Sequence, residues 1–173
     1  MTKLVLGIET SCDDTSIALV DQRGNVAAIE TVSQYEVHSD FGGVYPELAS
    51  RAHLEAILPT IEMVLDRANV NPQDLRAIGV TRGPGLMGSL LVGLSTAQAL
   101  GLAWDVATYG INHLRGHIRS VDLEKRRLRF PALILLVSGG HTLLAFCKDQ
   151  NSFDLLGTTR DDSVGECYDK VAR

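Results

Sequence analysis

Cysteine and basic residues are both scarce in this sequence, and each shortage excludes a class of protein. The three cysteines, Cys12, Cys147 and Cys167, are odd in number and widely spaced. This pattern fits reduced thiols in a cytosol better than a disulfide framework, and no CxxC spacing indicates a zinc site. The formal net charge of −5 argues against strong nucleic-acid binding by this chain alone, because neutralising phosphates requires a basic surface.

We expect no secretory signal peptide at the N-terminus. The apolar run near the N-terminus is too short for a secretory signal peptide, and acidic residues follow it at once. We therefore expect a cytoplasmic protein. The stretch Leu86–Leu102 has no charged residue, so a transmembrane helix is one interpretation. Its glycine, serine, threonine and glutamine residues favour a buried helix that approaches a sheet or a partner closely.

Two segments of the chain have the same order of strand, turn and strand. The first is LVLGIETSCDDTSIALVD at Leu4–Asp21, and the second is LILLVSGGHTLLAFCKD at Leu133–Asp149. The apolar run Leu133–Val137 predicts a strand that is buried on both faces. The turn Ser138–Gly140 offers backbone N–H groups and a hydroxyl, which suit a phosphate or another anion. An ordinary hairpin remains the alternative for this turn.

The elements between these segments predict an α/β chain with a duplicated plan. A third strand follows each hairpin, at residues 26–33 and 153–159. A helix is expected from Pro46 to about Ala68, with Pro59 kinking it or splitting it in two. Further strands and helices alternate up to the second copy, in which Asp162 or Ser163 caps a last helix. This order indicates a duplicated α/β fold with a nucleotide or phosphate group held between facing turns.

Six stretches of this sequence resemble successive motifs of one family. They are GIETSCDDTSIALVD (Gly7–Asp21), PELASRAH (Pro46–His53), TRGPGLMGSLLVG (Thr81–Gly93), INHLRGH (Ile111–His117), LVSGGHT (Leu136–Thr142) and GECYDKVAR (Gly165–Arg173). In order and spacing they are similar to the tRNA threonylcarbamoyladenosine transferase family, formerly called the glycoprotease or O-sialoglycoprotein endopeptidase family. The wording of the first motif resembles the bacterial branch.

The resemblance implies a fold and a reaction. The fold is the actin, Hsp70 and sugar-kinase (ribonuclease H-like) superfold, with a first lobe at residues 1–130 and the start of a second lobe at 131–173. The reaction moves a threonylcarbamoyl group from threonylcarbamoyl-AMP to N6 of the adenine beside the anticodon, in tRNAs that read codons beginning with A. The implied partners are a catalytically inactive paralogue, an ATPase and, only with these or with further chain, tRNA. No membrane is implied.

The resemblance also assigns an adenylate site. The family's adenylate-binding loop is matched by Leu136, Val137, Ser138, Gly139 and Gly140. Asp169 matches the next substrate contact, which accepts hydrogen bonds from ribose hydroxyls. Glu9, Asp13 and Asp14 match the first phosphate-side turn, and no catalytic residue is assigned among them. For the motif at Pro46–His53 we expect helix capping and internal pairing.

Two histidines form the candidate metal site. His113 and His117 are four residues apart, so a helix sets both imidazoles on one face. Helix-face histidines are common, and without the resemblance a ligand pair would be the minority interpretation. The spacing is not the HExxH of zinc proteases, because Leu114 stands at the glutamate position. In the family the matching histidines bind iron or zinc together with an aspartate from further along the chain, and two imidazoles alone hold a metal weakly.

This chain is shorter than the members of the family, which continue for roughly as many residues again. We expect the segment from Pro131 onwards to expose a sheet edge and a helix face, and therefore to self-associate. A chain that is inactive alone is expected on the same grounds. The alternative function is a non-catalytic scaffold that binds the paralogue and perhaps nucleotide. A sugar- or acetate-type kinase is disfavoured by the histidine pair, and a metalloprotease is the weakest option.

Overall fold

A computed structural model describes residues 3–41, 43–123 and 127–172 of the chain. The chain divides into two compact units, Met1–Gly116 and His117–Arg173, and the division falls within one helix. The domain limits of 1–130 and 131–173 stay a prediction.

A five-stranded mixed sheet forms the first unit. Its strands are β1 (Leu4–Glu9), β2 (Asp14–Val20), β3 (Val26–Ser33), β4 (Leu75–Gly83) and β5 (Ala107–Asn112). The order across the sheet is β3-β2-β1-β4-β5, in which β1, β2 and β3 are antiparallel while β4 and β5 run parallel to β1. The C-terminal ends of β1, β4 and β5 therefore meet at one edge of the sheet, where ligands bind in open α/β sheets.

Four helices accompany these strands: α1 (Tyr35–His38), α2 (Pro46–Ala68), α3 (Met87–Trp104) and α4 (His113–Ser120). Helix α2 starts on a proline and ends before Asn69, whose left-handed φ of 52° terminates it. It is continuous over Pro59, so the predicted alternative of two separate helices is wrong. The helix tolerates this proline because Ile57 and Ile61 on either side are buried in the core and hold it to the sheet.

Packing of α2 against the sheet creates the core of the first unit. Leu6, Ile17 and Ile78 from the strands are completely buried, as is Val64 from α2. Side chains alternate along β1 and β2, so that one set enters this core while the other faces outward. The core fixes the strand register that places the ends of β1, β4 and β5 side by side.

Helix α3 is long and apolar enough to cross a membrane by length and composition alone. It contacts α2, β1, β4 and β5 instead, and its glycines lie where it approaches them closely. A Cβ atom at Gly93 would collide with Thr10, and one at Gly101 would collide with Thr108. These contacts support a helix that packs on the sheet through small residues.

A three-stranded antiparallel sheet makes up most of the second unit. Its strands are β6 (Ala132–Val137), β7 (Thr142–Cys147) and β8 (Asp154–Thr158), and helix α5 (Val164–Ala172) follows. The order β6-β7-β8 repeats the antiparallel order of β1, β2 and β3, so the predicted second meander is present. Ser163 caps α5, since its Oγ accepts a hydrogen bond from the backbone N–H of Glu166 at 3.2 Å.

The expectation that β6 is buried on both faces is wrong for the described residues. Leu136 is buried, but Leu133 and Leu135 are 65% and 68% exposed. The apolar run follows the pattern of a strand between two layers, whereas in the described part of the chain alternate side chains of this strand are exposed.

Candidate functional site

The carboxylate of Glu9 is the centre of a hydrogen-bonded cluster at the C-terminal edge of the first sheet. Its Oε2 accepts a hydrogen bond from the Thr81 hydroxyl at 2.7 Å and lies 2.9 Å from Nδ1 of His113. Its Oε1 accepts the backbone N–H of Ser11 at 2.5 Å. The Ser11 hydroxyl also lies 3.1 Å from the same Nδ1. The ends of β1, β4 and β5 thus bring together residues up to 104 positions apart in the sequence.

These contacts keep Glu9 ionised. Burial alone would raise the pKa of its carboxyl, but hydrogen bonds from His113, Ser11 and Thr81 outweigh it and lower the pKa to about 2. A fixed negative charge therefore lies against the imidazole of His113 throughout the physiological pH range.

His53 is hydrogen-bonded to the turn between β1 and β2. The imidazole is completely buried, and its Nε2 donates a hydrogen bond to the carbonyl oxygen of Cys12 at 3.0 Å. Nδ1 must then accept the hydrogen bond from the Thr15 hydroxyl, which is 2.7 Å away. In the same motif the Ser50 hydroxyl donates to the carbonyl oxygen of Pro46 at 2.8 Å. The Ser50 contact is thus internal to the motif, whereas His53 pairs outside it. The described start of α2 has no side-chain capping hydrogen bond, so the helix capping expected of this motif is wrong.

Burial and acidic neighbours together raise the pKa of the Cys12 thiol in this turn. Partial burial is the largest cause, and the carboxylates of Asp13, Asp14 and Glu9 add to it, so that the pKa of Cys12 rises to about 12. The residue is nevertheless exposed. A thiol that is exposed but stays protonated is a poor nucleophile.

Alkylation of Cys12 by iodoacetamide at pH 8 is therefore expected to be at least about 100-fold slower than that of a typical exposed thiol. Cys167, which is exposed on α5, supplies the internal reference. Peptide mass spectrometry over time measures both rates. Asp13→Asn should speed the reaction of Cys12 and leave that of Cys167 unchanged, and equal rates in the native chain would contradict the suppression.

The turn at Ser138–His141 joins β6 to β7 and is closed by its own hydrogen bonds. The Ser138 backbone N–H donates to the carbonyl oxygen of His141 at 2.8 Å, and the Ser138 hydroxyl accepts from the N–H of His141 at 3.1 Å. Ideal Cβ atoms at Gly139 and Gly140 would meet no atom within 4 Å. The space at the Cβ positions of these two glycines is therefore open.

Helix α5 is attached directly to this turn. The N–H of Gly165 donates to the carbonyl oxygen of Ser138 at 3.2 Å, and the Ser163 hydroxyl donates to the carbonyl oxygen of Gly139. A Cβ atom on Gly165 would lie 2.6 Å from that Ser138 oxygen, so only glycine permits this approach. Asp169 is exposed further along the same helix.

The two predicted metal-binding histidines belong to helix α4. Their donor atoms suit iron or zinc, and the carboxylate on Nδ1 of His113 is an arrangement that metal-bound imidazoles commonly adopt. The metal-binding role of the pair stays a prediction. Within residues 3–41, 43–123 and 127–172, no group of three or more histidine, cysteine, aspartate or glutamate side chains could hold an ion.

Two elements of the site were missed by sequence reasoning. The contact between Glu9 and His113 joins residues that the motifs assign to separate blocks. The hydrogen bond between His53 and the carbonyl oxygen of Cys12 likewise cannot be predicted from the motif that contains His53. The shared edge at which β1, β4 and β5 end is given by the order of the strands in the sheet, which the motifs do not contain.

Two solved structures resemble the chain in fold. YeaZ from Pseudomonas aeruginosa matches with a TM-score of 0.60 and 20% identity, over 90% of this chain and 65% of that one. The ethanolamine utilization protein EutJ from Carboxydothermus hydrogenoformans matches with a TM-score of 0.53 and 13% identity, over 94% of this chain and 53% of that one. The predicted fold class, an α/β chain of the actin, Hsp70 and sugar-kinase superfold, is confirmed.

The sequence comparisons are more specific. The family model described as tRNA N6-adenosine threonylcarbamoyltransferase matches residues 25–173. Proteins of that name from Staphylococcus saprophyticus and from Bacillus thuringiensis strain Al Hakam are each 49% identical, over 99% and 98% of this chain. The chain spans about half the length of these relatives, 50% and 49% respectively. It belongs to the tRNA N6-adenosine threonylcarbamoyltransferase family.

Proposed function

We propose that this chain is the metal-binding and adenylate-binding portion of an enzyme that transfers threonylcarbamoyl from threonylcarbamoyl-AMP to N6 of an adenine in tRNA. The single observation that carries the proposal is the family match, which extends over most of the chain. The adenine would be the one beside the anticodon in tRNAs that read codons beginning with A. The enzyme would work in the cytoplasm.

His113 and His117 would hold iron or zinc in this enzyme. The bound ion would supply a positive charge that holds and polarises oxygen atoms of the threonylcarbamoyl part. The described residues offer no third protein ligand, which agrees with weak metal binding by this chain alone.

The adenylate would lie against Leu136, Val137, Ser138, Gly139 and Gly140. The open space at the Cβ positions of Gly139 and Gly140 supports this, because a phosphate or ribose could approach the main chain on that side. Asp169 would accept hydrogen bonds from ribose hydroxyls, and its exposure on α5 is compatible with that role.

Partner proteins would contact helices α2 and α3. These helices pack against each other and expose large apolar side chains, including Leu54 at 66% and Leu102 at 86%. We assign this surface to an inactive paralogue, with an ATPase as a further partner. Self-association would instead use the segment from Pro131 onwards. The surface of α2 and α3 also favours a second candidate function, a scaffold that binds the paralogue without catalysis. The negative net charge makes tRNA binding dependent on those partners or on further chain.

Replacing His113 with alanine separates the two functions. The chain would be joined to the remaining half of the Staphylococcus saprophyticus relative and mixed with the paralogue, the ATPase, threonylcarbamoyl-AMP and tRNA. Modified adenosine, measured by mass spectrometry after nuclease digestion, is expected to fall at least about 100-fold in His113→Ala, because half of the imidazole pair is lost.

Arg119→Ala on the same helix is the matched control, since its side chain is 48% exposed and pairs with Asp122 rather than with either histidine. Full activity of His113→Ala would remove the metal-site assignment. Absence of modification by the native sequence, with the paralogue still bound, would leave the scaffold.

A further inference from the structure

We propose that Thr142, Ser163 and Gly165 are positioning residues that attach helix α5 to the turn Ser138–Gly140 and thereby hold Asp169 in place. This inference rests on the proposed adenylate site, to which the turn and Asp169 belong. It concerns three residues that the predicted site does not include. The turn and the helix bind an adenylate as one preformed unit.

The first two N–H groups of α5 donate to the segment that contains the turn. The N–H of Val164 donates to the hydroxyl oxygen of Thr142 at 2.9 Å. The N–H of Gly165 donates to the carbonyl oxygen of Ser138 at 3.2 Å. An α-helix cannot satisfy these groups within itself, so acceptors from outside the helix fix its N-terminal end.

The Ser163 hydroxyl connects the turn to the helix a third time. It donates to the carbonyl oxygen of Gly139 and accepts the backbone N–H of Glu166 at 3.2 Å. The residue is buried, with 3% of its surface exposed, so water competes little for these hydrogen bonds. The first three N–H groups of α5 therefore all have protein acceptors at or next to the turn.

Gly165 allows the helix to approach the turn more closely than any other residue would. A Cβ atom at this position would lie 2.6 Å from the Cα of Gly139 and 2.6 Å from the carbonyl oxygen of Ser138. Both are backbone atoms, so no side-chain rotation can relieve the collision. Gly165→Ala would therefore separate α5 from the turn.

Asp169 lies on the face of α5 that makes this contact. Positions 165 and 169 are four residues apart, so a helix places them on one face. A helical side chain also covers the surface over the preceding turn of its helix, which here is the surface at Gly165. Helix α5 has nine residues and is too short to be stable without tertiary contacts. Its attachment therefore determines where the carboxylate lies relative to Ser138–Gly140.

The first experiment measures hydrogen exchange of the α5 amides in the ligand-free chain by NMR. Gly165→Ala is expected to speed their exchange at least about tenfold, because the helix loses its contacts with the turn. Helix propensity alone predicts slower exchange, since alanine favours a helix more than glycine does. Gly157→Ala on β8 is the matched control, because its Cβ atom would meet no atom within 4 Å. It should leave the exchange of α5 unchanged.

Thr142→Val keeps the test valid if Gly165→Ala folds poorly. It removes the hydroxyl that accepts the N–H of Val164 and is expected to speed exchange in α5 about fivefold. Thr142→Ser keeps a hydroxyl at this position and should restore the native rates. Exchange in α5 that is unchanged or slower in both Gly165→Ala and Thr142→Val would overturn the inference.

The second experiment titrates AMP into the chain by calorimetry. Asp169→Ala is expected to weaken AMP binding about tenfold in the native sequence, but less than about twofold when Gly165→Ala is also present. The second effect is smaller because a detached helix no longer holds the carboxylate beside the turn. A merely structural role of Gly165 would leave the effect of Asp169→Ala the same in both backgrounds, and this result would contradict the positioning role.

Failure of the proposed function remains distinguishable from failure of this inference. If AMP does not bind to the native chain while exchange in α5 depends on Gly165 and not on Gly157, the adenylate assignment is wrong and the attachment of α5 stands. If AMP binds while exchange in α5 is independent of Gly165 and Thr142, the adenylate assignment stands and the attachment is wrong.

Discussion

Replacing Gly93 with valine is expected to lower the free energy of unfolding of the chain by about 3 kcal/mol. Gly93 is buried in α3, where a Cβ atom would collide with Oγ1 of Thr10. Thr10 cannot yield easily, because it is completely buried and its hydroxyl donates to the carbonyl oxygen of Ser89 at 2.9 Å. The added side chain would therefore push α3 away from the sheet or break this hydrogen bond.

Ser95→Val is the matched control, since it adds the same β-branched side chain at an exposed position of the same helix. Its effect should stay within about 0.5 kcal/mol. Urea unfolding followed by circular dichroism measures both variants. A Gly93→Val chain as stable as the native one would contradict the close approach of α3 to β1. The interpretation that α3 packs on the sheet through its small residues would then be wrong as well.

Local patterns were sufficient to predict most elements of the fold. The strand predicted at residues 26–33 is β3 with the same limits, and the helix expected from Pro46 to Ala68 is α2. Alternating and helical spacings of apolar residues give these elements because they reflect which side of each segment is buried. The alternative of two helices at Pro59 is wrong because the sequence gives the cost of a proline but not the core contacts that offset it.

The burial of β6 could not be predicted for a related reason. An apolar run such as Leu133–Val137 has the same pattern whether its second face is covered by nearby residues or by another segment. The described residues leave Leu133 and Leu135 exposed, so the pattern predicted a strand correctly and its surroundings incorrectly.

The candidate site was predictable as a set of motifs but not as a set of contacts. Glu9 and His113 lie 104 positions apart, and Thr15 and His53 lie 38 apart. Their contacts depend on strand order, on register and on the rotamer of each side chain, none of which a single motif contains. The resemblance identified the candidate residues. The parallel strands β1, β4 and β5 bring the ends of their segments to one edge of the sheet.

Acidification is expected to destabilise the chain through His53, beginning near pH 6.5. Burial lowers the pKa of His53 and outweighs the Cys12 carbonyl and the acidic residues nearby, which favour the charged form. The folded state therefore keeps the ring neutral while the unfolded chain takes up a proton. Stability from this group is fully present above pH 6.5 and is lost as the pH falls towards the lower folded pKa, by at most about 1.4 kcal/mol per pH unit.

His53→Gln is expected to remove this slope between pH 7.5 and 5.5 and to lower stability at pH 7.5 by about 2 kcal/mol, because the Thr15 hydroxyl and the Cys12 carbonyl lose well-placed partners. Urea unfolding at each pH gives both quantities. Thr15→Val, which leaves the imidazole in place, should lower stability but keep the slope. Parallel pH profiles for the native chain and His53→Gln would mean that the ring accepts a proton while folded. The interpretation of His53 as a neutral ring that hydrogen-bonds to the Cys12 turn would then be wrong.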